Sequence, residues 1–226
     1  MKKTLIFLIT FLFPLFSYSN GVSLGATRIV YNSNIKQTNL VVTNSDKGNS
    51  FLIQSWVSDI EGNKTADFIV TPPLYILDAN KENALRIMYV GKSLPKDKES
   101  LFWMNVKVIP SLQEGLDKEN TMQIAIQSRI KLFYRPSILP AYSEKFANEI
   151  KFSYQNGELI ATNPTPYYIT MVNLAAAGSQ LPSSIMLNPL SQLTLGKINK
   201  NENTISFQTI NDYGAQTPVL KKEITH

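Results

Sequence analysis

The chain has 226 residues, 43% of them hydrophobic and only 17% charged, with a net charge of +5, no cysteine and one histidine. Without cysteine there is no disulfide, thiolate metal site or cysteine nucleophile; with His226 as the sole imidazole, neither a Ser-His-Asp triad nor a multi-histidine metal site can be assembled in one chain. Chemistry on carboxylates alone is what remains for an enzyme, and no acidic pair stands out, since Asp59, Glu61, Asp78 and Asp97 sit in turn-like contexts.

The first nineteen residues read as a secretory signal: Lys2 and Lys3, an apolar run from Leu5 to Phe16, then Ser17, Tyr18 and Ser19. The run is shorter than the roughly 20 residues of a membrane-spanning helix, so cleavage is expected after Ser19. Removing Lys2 and Lys3 takes two charges from the net +5. The remaining basic residues are scattered rather than clustered, which argues against nucleic acid as a partner.

Along the expected mature chain, short runs alternate apolar and polar residues and are closed by turn residues. They are Leu40 to Thr43, Phe51 to Val57, Phe68 to Val70, Ala84 to Val90, Leu101 to Ile109 and Met122 to Tyr134. Regular short strands with turn punctuation predict an all-β sandwich, and no long stretch carries a helical period. Pro136 and Pro140 then interrupt the longest run, because proline cannot donate to a ladder. A domain boundary is expected there. Strand-like pieces resume at Ile150 to Tyr154, Leu159 to Thr162, Tyr168 to Leu174, Gln192 to Leu195, Thr204 to Ile210 and Val219 to Ile224.

Seven stretches, in order, are more specific than these patterns: Gly21 to Arg28, Phe68 to Leu74, Lys81 to Ile87, Leu94 to Val106, Ile130 to Pro136, Asn163 to Tyr168 and Thr209 to Gly214. Together they resemble the periplasmic chaperones of the chaperone–usher pathway that assembles pili, nearest to those of type 1 pili. The resemblance implies two immunoglobulin-like β-sandwich domains set at an angle with a cleft between them, residues 20–136 and 137–226 after a signal peptide of 1–19. It implies a non-enzymatic protein without a cofactor, located in the periplasm. Such a chaperone binds, folds and caps pilus subunits by lending them a strand and delivers them to an outer-membrane usher. Pilus subunits and the usher are then the partners, with no small-molecule substrate, and a self-capped dimer is a state open to the free chain. The short stretch between Pro110 and Met122 resembles the short-loop branch of the family.

The resemblance also implies roles for particular residues. Met122, Ile124 and Ile126 lie at spacing two and share a face of an extended strand. Periodicity alone makes them ordinary core facing the opposite sheet; the resemblance makes them the donor strand that enters the subunit's groove. Arg28 and Lys131, by themselves two charges, match the family's anchor for the subunit's terminal carboxylate. Glu99, Arg135 and Asp212 match its interdomain charge network. One tension is visible: Ile126 and Lys131 are an odd number of residues apart, so a regular strand puts them on opposite faces, and a bulge or bend between them would reconcile the two roles. The rival reading is an exported β-sandwich adhesin or pilus subunit that binds carbohydrate, which predicts one incomplete sandwich and often a disulfide.

Overall fold

A computed structural model describes residues 21–111 and 123–226. The expected signal segment and Met122 lie outside the described residues. Sixteen strands and one 3-10 helix make up the regular structure of the described part. β1 (Val22–Leu24), β3 (Thr38–Asn44), β7 (Glu82–Tyr89) and β5 (Phe68–Thr71) form a four-stranded sheet in the order β1-β3-β7-β5. β2 (Arg28–Asn32), β9 (Ile126–Arg135), β8 (Ser100–Pro110), β4 (Phe51–Ser58) and β6 (Leu74–Leu77) form a five-stranded sheet in the order β2-β9-β8-β4-β6. Alternation of the kind seen in β4, where Ile53 and Val57 are buried while Gln54 is exposed, turns one face of each sheet inward. Leu40, Val42, Leu85 and Ile87 meet Ile53, Met104, Val106 and Leu132 in one hydrophobic core.

Two short corners carry the chain between these sheets. Pro72 and Pro73 separate β5 from β6, and Gly25, Ala26 and Thr27 separate β1 from β2. At Gly25 the backbone N–H donates to the Val41 carbonyl (2.8 Å), and a side chain there would crowd Val41. The corner is therefore tight, and it sets where β2 begins. Sequence alternation did not reveal β1, β2 or β6.

The remaining strands are β10 (Lys151–Gln155), β11 (Glu158–Asn163), β12 (Ile169–Ala175), β13 (Ser184–Leu187), β14 (Ser191–Lys197), β15 (Thr204–Thr209) and β16 (Leu220–Thr225). They are linked in the order β13-β12-β15-β16-β10-β11-β14, with the parallel β10–β16 contact confined to two residue pairs. They enclose a second core of Phe152, Leu159, Met171, Leu187, Ile205 and Phe207. A 3-10 helix at Glu144–Glu149, capped by Ser143, lies just before β10.

β9 ends at Arg135, where Pro136 follows. Its start differs from the sequence reading. The ladder with β8 opens at Ile126 opposite Val108, so Gln123 to Ala125 lie ahead of it. Continuing that register would set Ile124 against Pro110, which has no N–H to give. From Ile126 to Tyr134 the ladder runs without a register shift. No bulge separates Ile126 from Lys131, and the two side chains stand on opposite faces of the sheet.

Candidate functional site

β9 is paired differently along its two sides. β8 follows it from Ile126 to Tyr134 on one side. On the other, β2 pairs with it in parallel only from Lys131, opposite Arg28, to Arg135, opposite Asn32. Among the described residues, no strand pairs with that side of Ile126 to Ile130. A row of backbone donors and acceptors is thus left on one edge, and such an edge is a template for another strand. The open edge stops where β2 starts, at the Arg28–Lys131 pair.

Even-numbered residues of β9 face the first core: Leu132 is buried in it, and Ile130 and Tyr134 pack against it. Ile126 belongs to the same row and is nevertheless 65% exposed. Ile124, just outside the strand, is 61% exposed. The reading of this stripe as ordinary sealed core is overturned for these two residues. Met122 lies outside the described residues.

Odd-numbered residues face the other way, and from Lys131 onward they meet the second core's half of the molecule. Lys131 Nζ donates to Thr170 Oγ1 (3.0 Å), and the Phe133 ring packs on Tyr168 with centroids 5.8 Å apart. Arg28 Nη1 donates to the Ile210 carbonyl (3.1 Å), and its Nε is buried with no partner among the described residues. Arg28 and Lys131 are therefore adjacent cations held between both halves of the molecule, and neither has a carboxylate within 4 Å among the described residues. Burial, and then the charge of Arg28, bring the Lys131 ammonium down from 10.5 to about 8. Burial also lowers the Arg28 pKa, against the opposing pull of Tyr142, Asp212 and Glu99. Two desolvated cations with spare donors favour an anion, and a carboxylate matches them in charge and in hydrogen-bond geometry.

Glu99, Arg135 and Asp212 are brought together. Arg135 Nε donates to Glu99 Oε1 (2.6 Å), and its two terminal nitrogens grip Asp212 in a fork at 2.7 and 2.9 Å. Glu99, only 3% exposed, also accepts the Tyr168 N–H (2.9 Å), while its own N–H donates to the Pro166 carbonyl (2.9 Å). Burial pushes the Glu99 carboxyl upward, and the Arg135 cation and the Tyr168 N–H pull against it. Burial works against the Arg135 cation too, but its bonds to Asp212 and the nearby Glu99 charge hold its pKa above the ordinary value. Tyr142 and Tyr167 flank the guanidinium, 4.9 and 5.2 Å from their ring centroids. Asp212 sits in a turn whose Gly214 has φ 85° and packs so closely on Thr27 that no side chain fits. This turn presses the second half of the chain against the residue preceding Arg28.

Sequence reading missed the partners Thr170, Ile210 and Tyr168, which supply a hydroxyl, a carbonyl and a backbone N–H. Backbone groups carry no residue-type signal, so only the fold could reveal two of the three.

Comparison with known proteins agrees with this architecture. Residues 21–140 match the model of the pili and flagellar-assembly chaperone PapD N-terminal domain, and residues 145–220 that of the pili assembly chaperone PapD C-terminal domain. The chaperone protein FimC of Escherichia coli K12 is 46% identical over 201 residues, covering 88% of this chain and 83% of the relative. Among solved structures, the periplasmic chaperone SfaE is 40% identical with a TM-score of 0.75, covering 91% of this chain and 100% of the other. A Salmonella enterica SafA pilin in complex with the SafB chaperone matches at 28% identity and a TM-score of 0.80, covering 92% and 98% of the two chains. These relatives do not favour an adhesin or a glycan-binding subunit. With both of its halves matched in order, the chain belongs to the family of pilus assembly chaperones, a family of chaperones and not of enzymes.

Proposed function

We propose that this chaperone works in the periplasm, after export and cleavage behind Ser19, and that it captures pilus subunits by strand addition. The supporting observation is the open edge at Ile126 to Ile130, which ends at the Arg28–Lys131 pair. A subunit segment that added to this edge would bring its terminal carboxylate to the two cations, and they would set its register. Met122, Ile124 and Ile126 would fill the groove of an unfinished subunit sandwich, each contributing roughly 1.5–3 kcal/mol when fully buried. In this reading residues 20–136 form the domain that lends the strand and residues 137–226 the second domain. The Glu99–Arg135–Asp212 network fixes the angle between them. The loaded chaperone passes its subunit to an outer-membrane usher, and the free one caps its own edge by dimerising.

The SafB–SafA pairing supports a subunit as the partner. Co-expressing the tagged chaperone with a pilus subunit tests the proposal. A soluble one-to-one complex, lost when the last residues of the subunit are deleted, is the expected outcome. A complex indifferent to that deletion contradicts the carboxylate anchor.

A further inference from the structure

All five odd-numbered side chains of β9 are tied by partners on the outer face of the sheet. Lys131, Phe133 and Arg135 reach the second half of the molecule, as described above. Gln127 and Arg129, in the segment with the open edge, are tied within the sheet instead. Gln127 Nε2 donates to Asn105 Oδ1 (3.0 Å), two residue pairs along from its own ladder partner Lys107. Asn105, only 2% exposed, passes its amide protons to Ser58 Oγ (2.9 Å) and to the Trp103 carbonyl (3.2 Å). The guanidinium of Arg129 lies 4.2 Å from the centroid of the Trp103 ring.

A polar chain thus runs Gln127–Asn105–Ser58 across β9, β8 and β4, on the face opposite Ile126. A buried asparagine on a sheet face costs free energy unless its bonds are made, and here every one of its side-chain polar atoms has a partner. A strand segment held by one neighbour is prone to fray, and among the described residues the backbone ladder to β8 is its only strand pairing. We infer that Asn105, with Ser58 and Gln127, is a positioning residue. Its chain of hydrogen bonds and the Arg129–Trp103 stack hold the open-edge segment in strand geometry before any partner arrives. This inference rests on the strand-addition reading for its consequence, faster capture by a preorganised edge, but not for its structural claim.

Hydrogen exchange on the free chaperone tests the claim without any subunit. Gln127→Ala removes an exposed terminus and leaves the core intact; Asn105→Ala removes the link behind it. Each is expected to speed exchange of the β8-bonded amides in residues 126–130 by about three- to tenfold, the worth of one net hydrogen bond. Exchange in β12 and β15 should stay unchanged. The double variant should gain no more than Asn105→Ala alone, because the two side chains act as one chain. Capture of a co-expressed subunit should slow in parallel, while Gln127→Ala keeps the parental melting temperature. Unchanged exchange at 126–130 in both single variants, or strictly additive effects in the double, overturns the inference. Faster exchange with unimpaired capture would leave the positioning role standing and count against strand addition.

Discussion

Arg28 and Lys131 stand opposite each other across the parallel ladder of β2 and β9, at the residue where β9 passes from an open edge to a paired one. One is the first residue of its strand, placed by the tight corner at Gly25, and the other lies mid-strand. Two partly buried cations side by side are held at a cost by the fold around them.

Lys131→Met should weaken subunit capture at least about tenfold, the loss of a charge-assisted bond. It should leave the free chaperone folded, with a melting temperature at neutral pH equal to or above that of the parent, since burial and Arg28 already disfavour the ammonium. Paired pull-down and calorimetry check both halves.

Capture and stability should respond to alkaline pH with opposite signs. The folded-state pKa of Lys131, about 8, lies below its ordinary value of 10.5, so between these limits the unfolded chain binds more protons. Stability, referred to Lys131→Met, therefore rises as pH climbs from about 8 towards 10.5 and is flat below. A bound carboxylate favours the ammonium, so affinity falls as pH passes the free-state value of about 8. Titrations of parent and Lys131→Met at matched pH separate this group from the others.

Ile126→Asp and Ile124→Asp should each cut capture by about ten- to hundredfold, from the apolar burial lost in the complex. Neither should shift the melting temperature of the free protein appreciably, because both side chains are mostly exposed there. A large drop in melting temperature would return them to the core.

Arg135→Ala should be the costly change. It leaves Glu99 buried and without its cation, a loss of about 3–5 kcal/mol for a buried pair stripped of one partner. Asp212 is released with it, so small-angle scattering should report a broader distribution of shapes alongside the lower melting temperature. An unaltered scattering curve would deny the network a part in orienting the two halves.

The long strands β4, β8 and β9 were legible in the sequence because alternation persists over many residues and Pro136 closes the run. The short β1, β2, β6 and β13 were not: runs of three to five residues carry little periodicity, and of that length only β5 and β10 stood out. At the site, Arg28, Lys131, Glu99, Arg135 and Asp212 could be named from motifs alone, but their surroundings could not. The contact of Arg28 with Ile210 and of Glu99 with Tyr168 depends on main-chain atoms brought in by β12 and the turn after β15. The opposite facing of Ile126 and Lys131 was foreseen by parity. What the sequence could not say is that the strand stays regular between them, so the two side chains occupy different faces.

Hydrogen exchange across the chaperone, alone and bound to a pilus subunit, measures the open edge of β9 directly. Strand addition predicts that amides in residues 126–130 pointing away from β8 exchange fast in the free protein and become protected in the complex, up to the limit set by Lys131. Protection confined to other surfaces, with these amides still exchanging as in the free chaperone, would contradict it.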